Sequence, residues 1–304
     1  MAITPRAIVK KPILIDFLML RTLIFASILA SNSWAGEFLL LCGAEEVFQI
    51  DPAADATAAL WTWRARDRPE LPEALHNTFR TTSECKPHKD GKQLLITSSG
   101  GGCALLEFPS GKALWWARAT NAHSIEALPG GLIAVASSVG KGGDQLLLYD
   151  ETIPMSAIAQ IPLASAHGLV WDEARQCLWA LGFDELIACT LKNRMLFVKS
   201  RHKLPDDDGH DLRAVPHSAD LILSTHSSVW RFHRDDAVFR PEPMLEHRAK
   251  VKSIDIHPAS SRIAMIQSTK KQWWSDSVHL FLPNAKHSIT DAILYKARWL
   301  TIKD

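Results

Sequence analysis

Apolar and polar positions alternate along this chain in short runs, and the runs come in pairs separated by turn residues. Five pairs read CKPHKDGKQLLITSS, SIEALPGGLIAVASS, GLVWDEARQCLWALG, DLRAVPHSADLILST and SIDIHPASSRIAMIQ. A period of two, broken by Gly, Pro, Asp or Asn, predicts antiparallel hairpins. A second set of hairpins lies between them: EVFQIDPAADATAALWTW, CALLEFPSGKALWWA, QLLLYDETIPMSAIAQIPL, ELIACTLKNRMLFVKS, SVWRFHRDDAVFRPEPML and SVHLFLPNAKHSITDAIL. Trp, Ile, Val and Leu dominate the strands, and helix-period stretches of useful length are missing. Two inner and two outer strands make one blade, so the chain encodes six.

The ends predict how the ring closes. The chain opens on a lone strand, Glu37-Phe38-Leu39-Leu40-Leu41, and finishes on ARWLTIKD, which aligns with VKSIDIHP at 251–258. The tail then supplies the innermost strand of the blade whose other three strands are N-terminal, and no sheet edge is left open. The expected fold is an all-β, six-bladed β-propeller closed in this way.

Aligned on the turn residues Asp90, Pro129, Glu173, Pro216 and Pro258, each inner strand brings one polar side chain to the same place. These are Glu84, His123, His167, His210, Lys252 and, from the tail, Arg298. The spacings of 39, 44, 43, 42 and 46 residues suit a four-stranded blade.

Residues 1–35 read as an export signal. Arg21 precedes the apolar run Leu23–Ala30, and Ser33-Trp34-Ala35 is small at both positions that a signal peptidase reads. The run is too short for a permanent membrane span. The domain expectation is therefore 1–35 signal peptide and 36–304 propeller, in the periplasm or outside the cell, as a monomer. Residues 1–35 hold Arg6, Lys10, Lys11, Arg21 and Asp16, so removing them leaves 30 basic and 32 acidic residues. That near-neutral balance offers no electrostatic footprint for nucleic acid.

The loop entering each inner strand and the loop joining the second and third strands emerge on one face. A funnel is expected there, with the six polar residues as its floor. The long loop at 267–276, carrying Lys270, Lys271, Trp273 and Trp274, forms its tallest wall. Concave sites with convergent polar groups bind small molecules, here a small ligand or an oligosaccharide. Histidine is the commonest metal ligand, and three can hold a divalent ion with a position open. His123, His167 and His210 are thus candidates for a metal site, for metal-free ligand binding, or for structural bonds to loop backbone. They must precede regular pleating, because the positions two and four residues on are apolar. No nucleophile elbow or phosphate loop is present.

Five cysteines in an exported chain leave one unpaired. Cys177 and Cys189 are symmetric about residue 183 of one hairpin, and a disulfide between them is expected if they lie opposite.

In NAHSIEALPGG, AHGLVWD, GHDL and VKSIDIHP the chain resembles a family of secreted bacterial propellers known as a domain of unknown function. That resemblance implies fold and export. More distantly, histidines on successive inner strands look like the metal site of oligogalacturonide lyases, seven-bladed propellers acting on uronate sugars. The likeness implies His123, His167 and His210 as metal ligands. Lys252 would be the base in a β-elimination, Arg298 would orient the carboxylate, and Glu84 would be a further catalytic candidate. A non-catalytic binding module of the cell envelope is the other reading.

Overall fold

The computed structural model describes Met1 and residues 37–54, 58–269 and 271–302. Apart from Met1, the expected signal segment lies outside them. Among the described residues no helix is long and apolar enough to cross a membrane.

Six four-stranded antiparallel sheets form the blades, as the hairpin pattern predicts. Their innermost strands are Lys296–Leu300, Thr82–His88, Ala122–Leu128, Gly168–Asp172, Asp211–Ala214 and Val251–Ile256, here numbered blades 1 to 6. In blades 2 to 6 the chain runs from the inner strand outward in sequence order. Blade 1 is composite. Its inner strand pairs with Phe38–Gly43 in the register Phe38↔Leu300 to Cys42↔Lys296, and the blade continues through Glu46–Ile50 and Trp61–Arg64. The expected closure is therefore present.

Burial explains why the ring holds. One strand face is apolar toward each neighbouring blade, so each of the six gaps is filled by its own cluster. Leu40, Trp63, Cys85 and Leu94 pack between blades 1 and 2, and Leu39, Ile266, Val278 and Trp299 pack between blades 6 and 1. Trp115 fills the gap between blades 2 and 3. A one-turn helix at Glu73–His76 was not predicted. It belongs to an insertion whose Ala65, Leu71, Leu75 and Phe79 extend the first cluster, so burial organises a segment with no helical period of its own.

The expected disulfide is absent. Cys177 faces Thr190 while Cys189 faces Leu178, so the two thiols are one register position apart. Successive strand residues point to opposite faces, which places Cys189 in the gap between blades 3 and 4 and Cys177 in the gap between blades 4 and 5. All five cysteines are buried free thiols.

Candidate functional site

The axis of the ring is built in layers, each with one residue per inner strand. The amides of His167, His210 and Tyr295 donate to the carbonyls of Leu181, Ser224 and Cys42, just before regular pairing starts in blades 4, 5 and 1. In blades 2, 3 and 6 the same position is a bulge, holding Ser83, His123 and Lys252. A bulge re-aims one side chain without disturbing the rest of the ladder. His167 and His210 thus precede regular pleating, whereas His123 is re-aimed by a bulge just inside its strand. The mouth layer is Tyr295, Ser83, His123, His167, His210 and Lys252.

Glu84 and Arg298 are not members of it. Glu84 belongs to the layer beneath, with Ser124, Gly168, Asp211, Ser253 and Lys296. Arg298 belongs to the layer below that, with Lys86, Glu126, Val170, Arg213 and Asp255. The turn alignment slipped by one residue in blade 2 and by three in the tail. Glu84, Asp211, Lys296 and Arg298 are sealed from solvent, with at most 2% of each side chain exposed. They cannot touch a ligand in the funnel as they stand.

These two layers carry four cations (Lys86, Arg213, Lys296, Arg298) and four anions (Glu84, Glu126, Asp211, Asp255), a neutral set. All five N–H groups of the Arg298 guanidinium are used. Nε and Nη2 reach Glu84 at 2.8 and 3.0 Å, Nη2 and Nη1 reach Asp211 at 2.7 and 2.9 Å, and Nη1 also donates to the Ile254 carbonyl at 3.2 Å. Lys86 likewise donates to Ile125 O, Glu126 Oε2 and Leu169 O at 3.1, 3.0 and 2.6 Å. Buried charges survive only when paired and hydrogen-bonded. Burial works to raise the Glu84 pKa, but the charges of Arg298, Lys296 and Lys86 prevail and hold it at about 2.

In the mouth layer the three imidazoles form a stack. Ring centres of His123 and His167 are 4.2 Å apart, and those of His167 and His210 are 4.9 Å apart. Their hydrogen bonds fix the tautomers. Asn121 Nδ2 donates to Val139 O, which turns its Oδ1 toward His123 Nε2–H at 3.0 Å and leaves His123 Nδ1 to accept from the Tyr295 hydroxyl at 3.2 Å. His167 Nδ1 donates to Ser165 O at 2.7 Å and His210 Nδ1 to Asp208 O at 2.8 Å. The remaining His210 nitrogen, Nε2, accepts from Lys252 Nζ at 2.6 Å.

This arrangement does not suit a chelate. The rings present faces to one another, and their nitrogens are largely committed to protein partners. Among the described residues no group of three or more His, Cys, Asp or Glu is disposed to hold a metal ion. Burial, followed by the adjoining imidazole for His167 and His123 and by Lys252 for His210, holds His167 and His210 down at about 3 and His123 well below its ordinary value. The stack is neutral at physiological pH. Lys252 is pushed down to about 8, first by burial and then by Lys250 and Lys296, against the opposing pull of Asp208.

The stack continues into an arc. Tyr295 lies 5.6 Å from His123, and Trp273 packs edge-on against Tyr295 at 5.7 Å. Trp273 at one end and the His210–Lys252 pair at the other both line one cleft of about 320 Å³. Lys250 and Lys271 add two cations, and Thr225, Ser268 and Thr269 add hydroxyls. Asp208 stands between His210 and His226, 3.6 Å from a nitrogen of each. Trp273 is half exposed (51%), a large aromatic surface turned to solvent. Of the six residues expected to share a pocket, only His210 and Lys252 line this one. His123 and His167 back it, and Tyr295, Asp208 and Lys250 were not anticipated.

None of the curated proteins matches this chain. Among solved structures it is similar to the WD40 β-propeller domain of Doa1, at 11% identity and a TM-score of 0.54, covering 75% of this chain and 71% of that one. It is also similar to a protein of Bacteroides uniformis ATCC 8492 described as a candidate 6-phosphogluconolactonase. There the identity is 14% and the TM-score 0.56, with 83% and 82% of the two chains covered. At these identities the likeness is one of fold. Residues 44–303 match a model of a family of unknown function, DUF6528, and the chain belongs to that family.

Proposed function

We propose that this propeller binds a small acidic carbohydrate, of the uronate class, in the cleft between Trp273 and the His210–Lys252 pair. The observation that carries the reading is the chemistry of the cleft. Lys250, Lys252 and Lys271 face a single carboxylate, Asp208, so the cleft is positive and suits an anion. Hydroxyl and imidazole groups supply neutral partners for sugar hydroxyls. The half-exposed Trp273 offers the flat apolar surface on which a sugar ring stacks. The volume falls within the usual range for small-ligand sites, ~300 Å³ upward.

Catalysis on such a sugar is favoured by one feature, the lowered pKa of Lys252. An amine that is partly neutral near pH 8 can act as a base. In a β-elimination, neutral Lys252 would take the proton α to the carboxylate. The C–O bond β to it would then break, leaving a carbon–carbon double bond while the departing oxygen takes a proton from water. Lys250 and Lys271 would stabilise charge on the carboxylate during this step. No part of it is routed through a metal. Export through residues 1–35 belongs to the same reading and is tested by fusing that segment to a secretion reporter.

The test is affinity for a galacturonate oligosaccharide in two variants. Lys252→Met is expected to bind about tenfold more weakly or worse, and Trp273→Ala to lose a comparable amount. Accumulation of an ultraviolet-absorbing unsaturated product would assign the lyase activity. Unchanged affinity in both variants, with the fold intact, removes the site.

A further inference from the structure

The sealed cluster of Glu84, Asp211, Lys296 and Arg298 divides the axis, and a second pocket opens on the far side, of about 490 Å³. Arg213 and the buried Asp255 form a charged pair in its lining. Arg213 Nε donates to Asp255 Oδ1 at 2.8 Å, and Asp255 Oδ2 accepts from the Trp299 amide at 2.8 Å. One edge of the guanidinium is thereby clamped. Its two terminal amino groups have no hydrogen-bond partner among the described residues and are not sealed from solvent. Arg298 has no such spare capacity. His88 lines the same pocket, neither ring nitrogen having a hydrogen-bond partner among the described residues, and burial, the largest influence, holds its pKa below the ordinary value.

A held guanidinium with its terminal donors free matches the two oxygens of a carboxylate. Around it Pro87, Pro216, Pro258, Ile256 and Trp299 give the walls an apolar share, while Lys89, Asp90, His217 and Thr301 also line it. The five apolar side chains offer a surface for the body of a ligand beside the guanidinium. Both observations differ from the lysine-rich, hydroxyl-rich cleft at the mouth.

We infer that this far-side pocket binds a small carboxylate with an apolar body, held by Arg213 with His88 beside it. Because Glu84, Asp211, Lys296 and Arg298 are sealed between the two faces, this site is independent of the sugar cleft.

The experiment titrates the whole propeller with benzoate, with benzamide as its neutral counterpart and with inorganic phosphate. Benzoate is expected to bind saturably and benzamide about tenfold more weakly or worse. Arg213→Lys keeps the charge but loses the fork, and is expected to weaken benzoate by a similar factor while Lys252→Met leaves it unchanged. A measurement on the unsubstituted protein covers the event that the variant does not fold. The amide resonances of Ala214 and Ile256 should move with benzoate, and those of Lys252 and Trp273 should not. Equal binding of benzamide, displacement by phosphate at matched concentration, undiminished binding in folded Arg213→Lys, or shifts confined to the mouth would each overturn the inference.

Discussion

Arg298 and Asp211 meet across the ring axis through two parallel hydrogen bonds of 2.7 and 2.9 Å, joining the last strand of the chain to blade 5. The same guanidinium holds Glu84 of blade 2 through its other edge. Closure therefore rests on more than the ladder between Lys296–Leu300 and Phe38–Gly43. The tail carries a cation that neutralises two carboxylates far from water, and Lys296 beside it reaches Asp211 at 2.7 Å.

Replacing Arg298 by Ala should cost about 3–5 kcal/mol, because Glu84 and Asp211 would stay buried with Lys296 as their main remaining counter-charge. Urea denaturation at neutral pH measures this directly. A loss below about 1 kcal/mol would show that the axis rearranges or admits water, as an exposed ion pair does.

Acid should destabilise the fold in two stages. His167 and His210 have folded pKa values of about 3, below the ordinary 6.5, so the unfolded chain binds more protons between those limits. Stability is then full above pH 6.5 and falls as pH drops toward 3. Glu84, lowered from 4.5 to about 2, contributes stability that is full above pH 4.5 and lost as pH falls through 2. Melting temperature measured from pH 7.5 to 4 should decline steadily, and less steeply in His167→Gln. A flat profile would contradict the neutral, buried stack.

Much of this was legible from the chain, and the errors have a common cause. Blade number and closure follow from turn residues and apolar alternation, which repeat because every blade must bury both faces. The axial layers needed a register accurate to one residue. Asp90 is the second residue of its hairpin loop whereas Pro129 is the first, so aligning turns displaced Glu84. The tail has no turn to align, and Tyr295 was passed over for Arg298. The alternation Lys296-Ala297-Arg298-Trp299 against Glu84-Cys85-Lys86 would have found both. The cysteine pairing failed similarly, because the loop between Leu181 and Leu186 has four residues and its centre falls between 183 and 184.

Thiol chemistry gives a simple check. Denatured, unreduced protein should titrate five free thiols, and native protein far fewer, since all five are buried. Burial pushes the Cys189 thiol up to about 12, which keeps it unreactive. Fewer than five thiols after denaturation would reveal a bridge, and one joining Cys177 to Cys189 would contradict the observed register.

Metal removal should change little. The imidazoles stack and spend their nitrogens on Ser165, Asp208, Asn121, Tyr295 and Lys252. Dialysis against a chelator is expected to leave the melting temperature and sugar affinity unchanged. A drop reversed by one equivalent of a divalent ion would return the histidines to a ligand role.

On the proposed reading, the cleft between Trp273 and Lys252 selects acidic sugars. The most direct measurement is paired calorimetric titration with a galacturonate oligosaccharide and its neutral galactose counterpart, repeated from pH 6 to 9. Lys252 is protonated below its pKa of about 8 and loses its charge above it. Saturable binding of the acidic sugar alone is expected, strong below that pH and weakening as it is passed. Equal affinity for the two sugars, no binding of either, or acid binding that strengthens with rising pH would contradict it.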